Sequence, residues 1–85
     1  MNEKNRIITI DSLSPGQSAT VESVEKSPLS DRLKELGLVS GTPVRCLYKA
    51  PMGDPSAYSI RGAVIALRRE DGRTVYARTG GIPNG

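Results

Sequence analysis

Ser27-Pro28-Leu29-Ser30-Asp31-Arg32-Leu33-Lys34-Glu35-Leu36-Gly37-Leu38-Val39-Ser40-Gly41 is the stretch around which the rest of the chain is organised. It reads as a short helix with both ends marked. Ser27 offers a side-chain oxygen as N-cap, and Pro28 suits the first helical position, where no backbone N–H is needed. Ser30 is a rival cap that would delay the start by one turn. Leu29, Leu33 and Leu36, at i, i+4 and i+7, form one apolar stripe. Asp31 falls in the first turn, where the helix dipole favours a negative charge. Gly37 supplies the left-handed residue that ends such a helix, and Leu38 is placed to fold back on Leu33. A helix this short is unstable alone. The stripe therefore predicts a lid laid over a core built elsewhere.

Extended structure flanks the lid on both sides. Upstream, Arg6–Ile10 is a short β-rich segment, Ser14-Pro15-Gly16-Gln17 is a turn by composition, and Ala19–Val21 begins an alternating strand. Val24 falls out of that phase, which predicts a bulge or strand end near Ser23. Downstream, Val44–Ala50 is the clearest strand, with Val44, Cys46 and Tyr48 expected on the buried face and Arg45, Leu47 and Lys49 on the other. Two prolines around Gly53-Asp54 break it. Ser56–Arg61 resumes a strand, Gly62 marks a bend, and Val64–Arg68 follows. Asp71-Gly72 then suits a two-residue hairpin turn that would return Thr74–Arg78 antiparallel to Val64–Arg68. About five short strands with one helix inserted after the first describe a small, strongly bent antiparallel barrel. The boundaries are residues 7–78 for the domain and 79–85 for a flexible C-terminal tail.

Composition narrows the function. A chain of 85 residues forms one core, and its single cysteine, Cys46, permits no internal disulfide. The apolar residues after Arg6 are too few for a secretory signal. The longest apolar run, Ala63–Leu67, is far too short to span a membrane, so a cytoplasmic protein is expected. The net charge of +3 is unevenly placed: residues 1–60 carry seven basic and seven acidic side chains, whereas five arginines face only Glu70 and Asp71 from Arg61 onward. Such a basic end suits an acidic protein surface or a phosphate backbone, or simply guards sheet edges.

Catalytic chemistry is missing. Histidine is absent, which removes the commonest general base and metal ligand. No serine can have a histidine partner, and Cys46 lies on the expected buried face of a strand. Asp31 and Glu35 sit at i, i+4, as ordinary surface charge does. No phosphate-cradling glycine motif precedes a helix. No enzyme, no cofactor and no dedicated metal site is expected. Carboxylates such as Asp54 or Asp71 alone would bind transition metal ions such as iron weakly and without discrimination. Nucleic acid is not expected either, because Tyr48, Tyr58 and Tyr76 are the only aromatic side chains and Tyr48 is assigned to the core.

Taken in order, Leu13, Gly16, Ala19, Val21 and Val24, then Arg32-Leu33, Leu36-Gly37-Leu38 and Gly41-Thr42-Pro43-Val44, resemble the FeoA family, ferrous iron transport protein A. Pro51, Gly53-Asp54-Pro55, Tyr58, Ile60, Arg61-Gly62 and Ile65-Ala66-Leu67-Arg68 continue the resemblance, which covers residues 8–78. The departure is Asp71-Gly72, where relatives often carry a more helical, Ala-containing turn. The resemblance implies an SH3-like fold and a small accessory role in ferrous iron uptake. It also implies a partner: the cytosolic region of a ferrous iron permease, the B component, with its GTP-binding domain. The protein would then be peripheral to the membrane through that partner only. The same fold resembles the C-terminal domain of iron-dependent repressors. The alternative reading is therefore a basic barrel that binds nucleic acid or works as a regulatory domain with such a repressor. Once backbone and core requirements are removed, the residues left for partner contact are Arg32, Met52, Gly53, Asp54, Tyr58, Arg61 and Arg68.

Overall fold

A computed structural model describes residues 6–79. Six strands form one continuous antiparallel sheet: β1 (Arg6–Thr9), β2 (Ser18–Val24), β3 (Pro43–Lys49), β4 (Ser56–Ile60), β5 (Ala63–Leu67) and β6 (Val75–Thr79). Helix α1 (Ser30–Glu35) joins β2 to β3, α2 (Arg69–Gly72) joins β5 to β6, and a 3₁₀ turn, Ile10–Ser12, follows β1. The spatial order is β1-β6-β2-β3-β4-β5, so the last strand threads between the first two. The lid thus follows the second strand, and Arg6–Thr9 counts as a full sheet member. Thr79, expected to begin the tail, closes β6 opposite Arg6. Residues 80–85 lie outside the described residues.

The helix stop forms as its residues dictate. The Leu38 N–H reaches the Leu33 carbonyl at 3.2 Å and the Gly37 N–H reaches that of Lys34 at 2.9 Å, the two bonds of a Schellman motif. Gly37 stands at φ +108°, and Leu33 and Leu38 are both buried. The start divides between the two serines. The Ser27 hydroxyl accepts the Leu29 N–H at 3.1 Å and so caps a leading turn, while α1 proper begins at Ser30. The stripe itself needs a correction. Leu33 lies in the core and Leu36 packs partly against it, but Leu29 is 44% exposed.

Bulges decide the faces of the strands. Register slips between Val21 and Ser23, where the Val21 N–H bonds the Thr42 carbonyl and the Gly41 N–H bonds that of Val21. A second slip, between Cys46 and Tyr48, reverses the outer half of β3. Val44 and Cys46 are fully buried, but Tyr48 is turned out and is 61% exposed, contrary to the alternation read from sequence. The aromatic at the centre of the core is Tyr58 instead, and its hydroxyl donates to the Ile10 carbonyl at 3.2 Å. Ile10, Leu13, Val21, Leu38, Val44, Ile60 and Val75 are among the side chains that surround it in that core.

The expected Asp71-Gly72 hairpin does not form. Arg69–Gly72 makes one helical turn, β5 pairs with β4, and β6 pairs with β1 and β2. Two tertiary contacts outweigh the local turn preference. Gly72 is buried so close to Asp11 that a Cβ there would lie 3.2 Å from the Asp11 Cβ. The Asp54 carboxylate, from the β3–β4 loop, accepts the Arg69 N–H at 2.8 Å and so caps α2 from a distance. Asp54→Ala is expected to cost about 1 kcal/mol, as loss of a cap does, and Asp54→Asn, which keeps an acceptor, clearly less. Urea denaturation checks this, and equal losses in the two variants would show that the cap is not what Asp54 contributes.

Candidate functional site: an exposed loop and an arginine-rimmed groove

Among the described residues, the β3–β4 loop presents the most exposed large apolar side chain, Met52, at 88%. The loop is tied at its base, since the Gly53 N–H bonds the Ala50 carbonyl at 2.6 Å and the Ala50 N–H bonds that of Pro55 at 2.9 Å. Asp54 binds it to α2, and a Cβ on Gly53 would stand 3.5 Å from a guanidinium nitrogen of Arg69. Met52 is therefore adaptable apolar surface on a stiff support, flanked by arginine. Sequence alone does not single out Arg69, because only the fold lays it against the loop.

Arg68, the residue before α2, lines a groove of about 320 Å³ between α1 and β5. Arg32 stands on the helical side of that groove, with Leu29 and Leu36, while Ile65 and Leu67 supply the strand side. Arg61 lies at the opposite end of β5, in the hairpin turn Arg61-Gly62, where both residues have positive φ, +52° and +82°. Its stem packs beside Gly37, with Cδ 2.9 Å from where a Gly37 Cβ would stand. Arg32, Arg61, Arg68 and Arg69 are all exposed, and the ion pair found among the described residues joins Arg78 to Glu22.

Of the seven residues proposed for contact, the fold brings Met52, Gly53, Asp54 and Arg68 together around the start of α2, with Arg32 across the groove. Arg61 stands apart, at the far end of β5. Asp54 has an internal duty as a cap. Tyr58 must be withdrawn: its ring is buried, burial pushes its phenol up, and its hydroxyl is spent on Ile10.

The thiol of Cys46 is buried, and burial pushes its pKa up, Lys49 opposing in part. That environment disfavours the thiolate a nucleophile needs. Among the described residues, no group of three or more Cys, Asp or Glu side chains is arranged to hold a metal ion. Among them also, no helix is long and apolar enough to cross a membrane.

A small bent sheet with a helical lid, a stiff exposed loop and an arginine-rimmed groove defines an SH3-like domain. The FeoA domain matches residues 8–79, and the chain belongs to the FeoA family. Among solved structures, the FeoA protein of Chlorobium tepidum is 31% identical with a TM-score of 0.79, over 92% of this chain and 79% of that one. The FeoA of Stenotrophomonas maltophilia complexed with zinc is 33% identical with a TM-score of 0.75, over 82% and 88% of the two chains. It is described as a unique procaryotic SH3 domain protein, suggested to act as a bacterial ferrous iron transport activating factor. A manganese-dependent transcriptional repressor in complex with manganese shares the fold at 13% identity and a TM-score of 0.77, over 86% of this chain and 36% of that one. A comparison with curated proteins finds no match.

Proposed function

We propose that this chain serves ferrous iron uptake as an accessory protein that contacts the cytosolic region of a ferrous iron permease. The observation that carries the reading is membership of the FeoA family across nearly the whole described chain. Its physical support is the Met52 loop: apolar, exposed, fixed at both ends and set beside Arg69. Met and Arg are favoured in protein interfaces, and a prestiffened loop loses little entropy on binding. A small contact then suffices for a transient complex. The role is one of contact, with chemistry left to the partner, and the protein reaches the membrane only through that partner.

Met52→Asp should weaken association with the permease's cytosolic region at least tenfold at physiological salt while leaving the urea midpoint unchanged, because the side chain touches little of its own fold. Unchanged binding would remove the loop from the interface. The competing reading, a basic nucleic-acid binder, gains one platform from the exposure of Tyr48. It forecasts affinity for single or double strands that falls steeply with log salt and is lost on removing Arg68, Arg69 and Arg73. Salt-sensitive nucleic-acid binding without permease binding would decide against the proposal.

A further inference from the structure

The hairpin between β4 and β5 fixes which main-chain groups of β5 are used. Ile60 and Ala63 flank its two-residue turn and therefore form a closely hydrogen-bonded pair. Antiparallel alternation then makes Tyr58–Ile65 and Ser56–Leu67 bonded pairs, and Ser59–Val64 and Ala57–Ala66 non-bonded ones. The N–H and C=O groups of Val64 and Ala66 consequently point away from β4. Among the described residues no strand lies on that side. Val64 is 65% exposed, Ala66 is exposed, and Ala63–Leu67 carries no charge, proline or bulge. Those are the devices that ordinarily guard an edge. The opposite edge, β1, is one residue shorter and bears Arg6.

The groove lies beside the Ile65–Leu67 part of this strand, so the side chains of a strand added there would meet Leu29 and Leu36, the residues flanking α1, across from β5. That also gives the exposed Leu29 a purpose the core does not. Charge selects the occupant. Two copies of β5 pairing antiparallel about Ile65 would match Val64 to Ala66 in both directions. They would also bring Arg61 of each copy, in the turn before β5, toward Arg68 and Arg69 of the other, just after it, like charge near like at both ends. Residues 80–85 of the chain itself carry no charged side chain to answer those arginines. An occupant with acidic residues at each end does. Arg61 and Arg68 stand just beyond the two ends of β5, whose five residues span about 17 Å, and that length sets the spacing of the acids.

We infer that β5 is a docking edge that takes an extended, acidic-flanked segment of a partner protein by strand addition, with alternate apolar side chains of the segment entering the groove beside α1. This goes beyond the permease contact. It holds whichever protein supplies the segment, and Met52 takes no part in it.

The test uses the full chain and a synthetic peptide, Asp-Glu-Val-Thr-Val-Thr-Val-Glu-Asp. Titration followed by NMR should show saturable binding, weakened at least tenfold by raised salt, with amide exchange of Val64 and Ala66 slowed at least tenfold. Backbone N-methylation at alternate peptide positions should abolish binding in one phase and spare it in the other. That measurement leaves the protein's fold untouched. Val64→Pro removes an outward N–H and should also abolish binding, with the β4 ladder signals retained. No binding at millimolar peptide would overturn the inference. So would equal tolerance of both methylation phases, or equal affinity for the same peptide with lysine in place of every acid. Concentration-dependent protection of Val64 and Ala66 without peptide would assign the edge to a second copy. Such protection removed by trimming residues 80–85 would assign it to the chain's own end.

Discussion

Leu33→Ala should lower the free energy of unfolding by about 2–5 kcal/mol, the cost of cutting a buried leucine back to a methyl and leaving a cavity. Leu33 is 3% exposed and belongs to the single core cluster. It is also the residue whose carbonyl accepts the Leu38 N–H at the helix stop, so the site has little freedom to collapse onto the void. A domain of 85 residues is expected to hold about 4–13 kcal/mol in total, so the loss consumes a large share of it. Leu29→Ala, on the same helix but 44% exposed, should change stability by less than about 1 kcal/mol. Urea denaturation of the two variants and the parent makes the comparison. Equal losses at the two positions would mean that α1 is not seated as described.

Gly37→Val should be as costly, about 2–5 kcal/mol, from two sources that add. At φ +108° a branched side chain is strained whatever the room. The room is also lacking. A Cβ would lie 2.9 Å from Arg61 Cδ and 3.2 Å from Ile60 Cγ2. The arginine stem can swing away, but Ile60 is fully buried and cannot. Gly41 is the control. It stands at φ +93° with nothing within 4 Å of where a Cβ would stand, so Gly41→Ala carries strain without collision and should cost about 1–2 kcal/mol. If Gly37→Val and Gly41→Ala proved equal in a urea series, the packing of Arg61 and Ile60 against the helix exit would be refuted.

What was legible in the sequence is what neighbours along the chain decide. The helix stop depends on Leu33, Gly37 and Leu38, which are close in sequence, and it formed as read. The bulge near Ser23 announced itself as a phase break at Val24, and the turn at Gly62 as a glycine between strands. The misreadings share a different cause. Tyr48 leaves the core because a bulge in β3, set by pairing with β4, reverses the alternation beyond Cys46, whereas Tyr58 enters it because that pairing places it opposite the buried Cys46. Asp71-Gly72 became helix because Asp54 and Asp11, distant in sequence, hold that segment. Leu29 has the right spacing for a core stripe, yet spacing does not say how far the sheet extends beneath it. Of the contact residues, the loop and Arg68 fall together in space, Tyr58 is lost to the core, and Arg69 and the bare edge of β5 emerge only with the fold.

The threading of β6 between β1 and β2 bears on how the chain is made. Strands β2 to β5 can assemble in order as they leave the ribosome, each pairing with the one before. Among the described residues β1 pairs with β6 alone, so it cannot join them in that order, and Arg6 finds its register against Thr79. β1, made before the other described strands, is thus held in waiting until β6 has emerged. Closing that longest loop comes late and sets a slow step, as non-local pairings do. Until then Val21 faces an unfilled seam where Ala77 will lie, so a nascent chain carries an open, sticky flank that its finished form has sewn shut.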